Sequence, residues 1–191
     1  MTALPEWTYS SPDGLTAEEY EALPEDFCRR IEVVDGAIIL SPNPRLPHQE
    51  VVLVLGGALR AAAKPRYRVV SDLDLRLRDV PLLNRRPDVV VLDSSVTGDT
   101  VVRPAHCLLV VEVMSPGSVT TDQVDKPGEY AAAGIEHFWR VENCDDVQKL
   151  TVFRYRLDAM TRTYARVGAN TGKLVVSDPL EMSLDFAEEL F

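Results

Sequence analysis

A chain of 191 residues, 46% of them hydrophobic, has the size of one ordinary domain and enough apolar mass to fill a core. It is too apolar for a disordered chain and lacks a collagen-like glycine period, and its longest smooth apolar run, Val51 to Leu59, falls well short of the roughly 20 residues a membrane helix needs. Twenty basic against thirty acidic residues give a net charge of -10, which argues against a surface that attracts nucleic acid as a whole.

That charge is uneven, at -7 over residues 1–50, +3 over 51–110 and -6 over 111–191, so the middle third is the only basic part. The three cysteines, Cys28, Cys107 and Cys144, are an odd number without paired spacing, and the opening MTALPEWTYS carries no basic-then-apolar leader. A reduced, cytoplasmic protein with no membrane partner is expected.

In chain order, Thr16-Ala17-Glu18-Glu19 is a capping-box pattern that predicts a short helix from Thr16 to about Leu23, stopped by Pro24. Arg30 to Leu40 reads as two strands around an Asp35-Gly36 turn. Val51, Val52, Leu55, Leu59 and Ala62 form the stripe of a first long helix from His48 to just before Pro65. Tyr67 to Arg78 alternates as one strand buried on one face, whereas Val89 to Leu92 and Cys107 to Met114 are almost continuously apolar, the pattern of neighbouring central strands covered on both sides. A helix is expected over Asp125 to Ala133, with Pro127 in its first turn and Gly134 as its stop. Strands follow at His137 to Glu142, Thr151 to Leu157 and Thr163 to Val167, and the tail from Pro179 to Phe191 is acidic and amphipathic. The expected organisation is one α/β domain over residues 1–191, with a core over about 15–167 and a C-terminal extension over 168–191.

Two carboxylates stand out. Glu112 lies near the end of the apolar strand LLVVEVM, where a bare buried charge would cost several kcal/mol. Asp88 opens the apolar run DVVVL directly after Pro87. Adjacent central strands would bring both to one place, and converging carboxylates with a nearby carbonyl oxygen make the hard-oxygen site that Mg²⁺ or Mn²⁺ selects. The residues alone leave an equal alternative, in which Glu112 pairs with Arg85, Arg86 or Arg103 and Asp88 caps a turn. Lys126, placed at the start of the helix after the Glu112 strand and its Ser115-Pro116-Gly117 turn, tilts the balance toward a site. His48 reads as a helix-start packing or capping residue, and His106 and His137 lack ligand spacing.

With RIEVVDG (Arg30 to Gly36), the Pro42 and His48 pair, RPDVVVL (Arg86 to Leu92), LLVVEVMSPGS (Leu108 to Ser118) and DQVDKPGEYAAAGIEHFWRVE (Asp122 to Glu142) in view, the chain resembles the PD-(D/E)xK nuclease superfamily. More narrowly it is similar to the Uma-two family of bacterial proteins classed as restriction endonucleases, over about residues 15–167. The resemblance implies a restriction-endonuclease-like domain with a mixed central β-sheet flanked by helices, and metal-dependent hydrolysis of phosphodiester bonds, with DNA the expected partner. It implies that Asp88 and Glu112 bind Mg²⁺ or Mn²⁺ together with the main-chain carbonyl of Val113, that Glu32 completes the acidic cluster, and that Lys126 is the motif lysine. Two departures from the wider pattern are Met114 at the usual lysine position and Gln123 where relatives carry a basic residue.

Glu32 has a simpler reading as a same-face partner of Arg30. Arg76, Arg78, Arg85 and Arg86 flank the Pro-Asp motif and are the expected phosphate contacts, unless they are only a solvated face. A homodimer is expected from Phe138-Trp139 and the apolar tail residues Leu184, Phe186, Leu190 and Phe191. The alternatives are a metal- or partner-binding module without turnover, or a hydrolase of small phosphoesters.

Overall fold

A computed structural model describes residues 14–41, 43–98, 100–114 and 124–190. Pro42, Ser115-Pro116-Gly117, Asp122, Gln123 and Phe191, all named above, lie outside the described residues.

The expected capping box is present. Thr16 Oγ1 accepts the Glu19 N–H at 3.2 Å, Glu19 returns its carboxylate to the Thr16 N–H at 2.9 Å, and helix α1 runs over Ala17–Glu21. Pro24 ends that helix and also caps a second short one, α2 (Glu25–Cys28). Strands β1 (Ile31–Val34) and β2 (Ala37–Leu40) pair antiparallel around Asp35 and Gly36, whose φ of 52° and 81° suit the left-handed two-residue turn that matches strand twist.

Helix α3 (Leu46–Ala63) starts two residues before His48 and buries Val51, Leu55 and Leu59. After it, the stretch read as one strand divides. Asp72 adopts φ 53°, and the chain turns there between β3 (Tyr67–Ser71) and β4 (Leu75–Arg78), which belong to different sheets. Alternation fixes which face of a strand is buried but carries no information on which sheet the strand joins. The short β5 (Leu83–Arg85) was not foreseen, because three residues are too few to show a period.

β6 (Val89–Asp93), β7 (Cys107–Val113), β8 (His137–Glu142), β9 (Thr151–Asp158) and β10 (Thr163–Thr171) build the main sheet, in the order β10-β9-β8-β7-β6-β3. Only β7 and β8 pair in parallel, so the sheet is mixed. A parallel pair needs a crossover, and helix α4 (Lys126–Ala133), stopped by Gly134 at φ 88°, lies within it. The second sheet has the order β2-β1-β5-β4. Three residues separate β5 from β6, so Arg86-Pro87-Asp88 joins the two sheets.

Odd-numbered residues of β6 and β7, such as Val89, Val91, Leu109 and Val111, pack toward α3, while Val90, Leu92 and Val110 pack with Tyr130 and Phe138 on the opposite face. The C-terminal hairpin β11 (Lys173–Val176) and β12 (Met182–Asp185), with α5 (Phe186–Leu190), adds Leu174, Leu184 and Phe186 to the α3 side. Phe138, Trp139, Leu184 and Phe186, four of the six residues from which a homodimer is expected, are buried inside the chain, and Leu190 is partly buried against the same core.

Because Phe186 is fully buried in the principal core, Phe186→Ala should lower unfolding free energy by about 3–5 kcal/mol in urea denaturation, in one cooperative transition. A loss below about 1 kcal/mol would show that the tail is not integral to the core.

Candidate active site

Strand register builds the site. Val89 faces Val111 across β6 and β7, so the antiparallel pairing sets Asp88 beside Glu112. Val110 and Glu112 share a face, which points Glu112 toward α4. There its Oε2 accepts from Lys126 Nζ at 3.2 Å and its Oε1 from the Tyr130 hydroxyl at 2.6 Å. Lys126 and Tyr130 are one helical turn apart, so a single face of α4 supplies both donors. Burial, then the charge of Glu112, holds the Tyr130 phenol well above its ordinary pKa and keeps it a donor.

Lys126 Nζ also lies 3.3 Å from Glu32 Oε1, joining β1 of the second sheet to β7 of the first. On the far side of Glu32, Arg85 donates to Oε2 at 2.8 Å and forks onto Glu129 with two bonds of 2.7 Å. Burial works to raise the Glu32 pKa, but the charges of Lys126 and Arg85 outweigh it and the carboxyl sits below its usual value. The register Val33 opposite Asn84 explains why Glu32 meets Arg85 rather than its sequence neighbour Arg30.

Asp88 is held differently. Its Oδ2 accepts the Val113 N–H at 2.6 Å, and its Oδ1 is 3.2 Å from His48 Nε2 in the first turns of α3. The sequence alternative for Glu112 is not what forms, since Arg86 pairs with Asp72 and Asp74 and Arg103 with Asp79, while Arg85 serves Glu32 and Glu129. At the position of the usual motif lysine, Met114 is buried and donates its N–H to the Val141 carbonyl. The ammonium reaches Glu112 from α4 instead.

Of the four expected phosphate contacts, Arg76 and Arg85 are buried, Arg76 lies between Glu21 and Asn84, and Arg78 pairs with Asp35. None of the four presents an uncommitted guanidinium. Tyr130, His48 and Glu129 were not foreseen as site residues. The four-residue spacing from Lys126 to Tyr130 was a usable signal, whereas the approach of His48 depends on how α3 lies across the sheet.

Asp88, Glu112 and Lys126 line a groove of about 1060 Å³ that continues between the β1–β2 hairpin and α3. Among the described residues no three His, Cys, Asp or Glu side chains already gather as a metal cluster. The donor set still fits a hard cation, because Mg²⁺ takes one or two carboxylates and otherwise keeps water or substrate phosphate. Four carboxylates, Glu32, Asp88, Glu112 and Glu129, stand against the cations Lys126 and Arg85, which leaves two negative charges among these groups for a divalent ion to offset.

The depressed Glu32 pKa has a definite sign for stability. Its contribution is complete above the ordinary value of 4.5 and is lost as pH falls through the lower folded value. Melting temperature below pH 4.5 should therefore fall more steeply for the wild type than for Glu32→Gln, and equal slopes would contradict this charge arrangement. Arg85→Met, which strands two carboxylates, should cost about 3–5 kcal/mol by urea denaturation.

A solved structure titled as that of "a putative nuclease" from Anabaena variabilis ATCC 29413 is similar to this chain, with a TM-score of 0.70 and 20% identity, covering 93% of this chain and 99% of that one. At that identity the likeness is one of fold, and the fold is the restriction-endonuclease-like α/β arrangement with a mixed central sheet. No curated protein matches the chain. A family profile described as "Putative restriction endonuclease" matches residues 17–187, nearly the whole length, and the chain belongs to that family, Uma2.

Proposed function

We propose that this protein is a metal-dependent nuclease that hydrolyses phosphodiester bonds in DNA, with Asp88, Glu112 and the Val113 carbonyl as the ligands of Mg²⁺ or Mn²⁺. The observation that supports the reading is that Asp88 lines the same open groove as the Lys126–Glu112 pair, in a chain of this family and fold. A divalent cation bound there supplies Lewis acidity toward a phosphate and lowers the pKa of an attacking water.

The chain's own groups then have separate tasks. The Val113 N–H and His48 fix the orientation of the Asp88 carboxylate, and Tyr130 and Lys126 do the same for Glu112. Each carboxylate oxygen so engaged keeps lone-pair capacity for a further partner. Lys126 places a positive charge where negative charge grows on the phosphoryl oxygens, and Glu32 with Arg85 holds that ammonium in place. The reading calls for no serine or cysteine nucleophile.

Replacing Asp88 or Glu112 by alanine should abolish both Mg²⁺-dependent thermal stabilisation and cleavage of plasmid DNA at low salt. Lys126→Met should keep the metal response and lower the cleavage rate by about two to three orders of magnitude. Equal residual nicking by wild type and Asp88→Ala would mark the activity as contamination and make a non-catalytic binding module the better reading.

A further inference from the structure

The groove that reaches Asp88 and Glu112 is lined along much of its length by groups that the hydrolytic reading does not use. One wall is the β1–β2 hairpin, with Ile39 and Leu40 45% and 72% exposed, and the other is the outer face of α3, with Leu53 76% exposed. Large aliphatic side chains left in water on both sides of one cleft are costly unless something covers them. Arg30 on the hairpin side and Arg60 on α3 also line it, both exposed. Among the described residues neither is paired with a carboxylate, unlike the arginines of the second sheet and of the junction at Arg86.

Between these walls α3 carries Gly56 and Gly57. A Cβ at Gly57 would meet nothing within 4 Å, and one at Gly56 would only graze Val89 at 4.0 Å. Packing inside the chain therefore does not require glycine at either position, although adjacent glycines in a helix interior each cost about 0.5–1 kcal/mol relative to alanine. The result is a bare strip of helix backbone facing the groove, open to close approach by another molecule.

We infer that this groove is the binding channel for an unpaired DNA strand, with Arg30 and Arg60 on its phosphates and Ile39, Leu40 and Leu53 against its bases, passing over Gly56-Gly57 to the carboxylates. The charge of the free guanidiniums selects a polyanion, and the aliphatic walls select one whose base faces are exposed. A duplex turns its phosphates outward and stacks its bases, so it offers these leucines nothing apolar to cover. Among the described residues the groove has no aromatic platform of the kind common in single-strand binders, so each base contributes little there and affinity rests on the phosphate contacts. The inference relies on the nuclease reading for the strand's destination, but its binding step is independent of cleavage.

The experiment is fluorescence anisotropy of the full-length protein, in EDTA, with a labelled 20-nucleotide single strand and with the same sequence as a duplex. The single strand should bind at least tenfold more tightly. Arg30→Ala/Arg60→Ala should weaken it and reduce the slope of log K against log salt by about 1.4, at about 0.7 per phosphate contact. Gly57→Met should raise the thermal midpoint, since methionine favours the helix, while weakening single-strand binding several-fold. That opposition of stability and binding is what a merely structural glycine would not give.

Equal or tighter duplex binding, no binding, or variants that bind as wild type would each overturn the channel. Cleavage lost in Asp88→Ala would in those cases leave the nuclease reading in place. Single-strand binding that responds to these variants without any metal-dependent cleavage would keep the channel and remove the nuclease.

Discussion

A buried ammonium shared by two buried carboxylates is the constraint on which the rest depends. Lys126 Nζ stands 3.2 Å from Glu112 and 3.3 Å from Glu32, and the three groups come from α4, β7 and β1. Without it, two buried carboxylates would be left with no cation between them in a region of low dielectric, where like charges repel far more strongly than in water. With it, helix, main sheet and second sheet are tied at one point. Such a cluster is a poor source of net stability compared with apolar packing of the same volume, but it is strongly position-specific, because loss of any member strands a charge.

The flanking groups extend that logic outward. Arg85 neutralises Glu32 from behind and carries Glu129, so the second sheet and α4 are fixed to each other by a forked contact as well as by Lys126. Asp88 stands apart from this lattice. It sits on the three-residue junction between the sheets, is 21% exposed at its side chain, and is held by a backbone N–H and a histidine rather than by a buried cation. The arrangement therefore grades from a largely compensated interior to a less compensated carboxylate at the groove.

Legibility in the sequence followed the same gradation. β6, β7 and α4 were readable because their signals are local: continuous β-branched runs, a proline in the first helical turn, a terminating glycine. The side-by-side placement of Asp88 and Glu112 follows from those strands being neighbours, while the pairing of Lys126 with Glu112 followed from a helix expected just after β7. What was not readable was membership. Arg76, Arg78, Arg85 and Arg86 form a basic run on paper, yet β4 and β5 carry three of them into a small sheet where each meets a carboxylate from Glu21, Asp35 or Glu32. Those acidic partners lie some 40 to 55 residues earlier, and no local pattern announces such distant contacts. The aromatic and apolar residues of the tail follow a related logic, since composition says that such residues need burial but not whether their own core provides it.

The negative charge of the chain and the polyanionic substrate proposed for it would be reconciled by where the arginines are committed. Most of the basic run is neutralised internally, so it adds little to the field outside, and a protein at -10 repels DNA at long range. Attraction is left to a few guanidiniums that line the groove and act only within about 10 Å at ordinary salt. Under the proposed reading, association would be slow and salt-sensitive, and a strand would be captured only when it already presents phosphates along that cleft. If the proposed channel holds, an acidic exterior would work as a filter against bulk duplex, and discrimination would pass from long-range electrostatics to the shape of one groove.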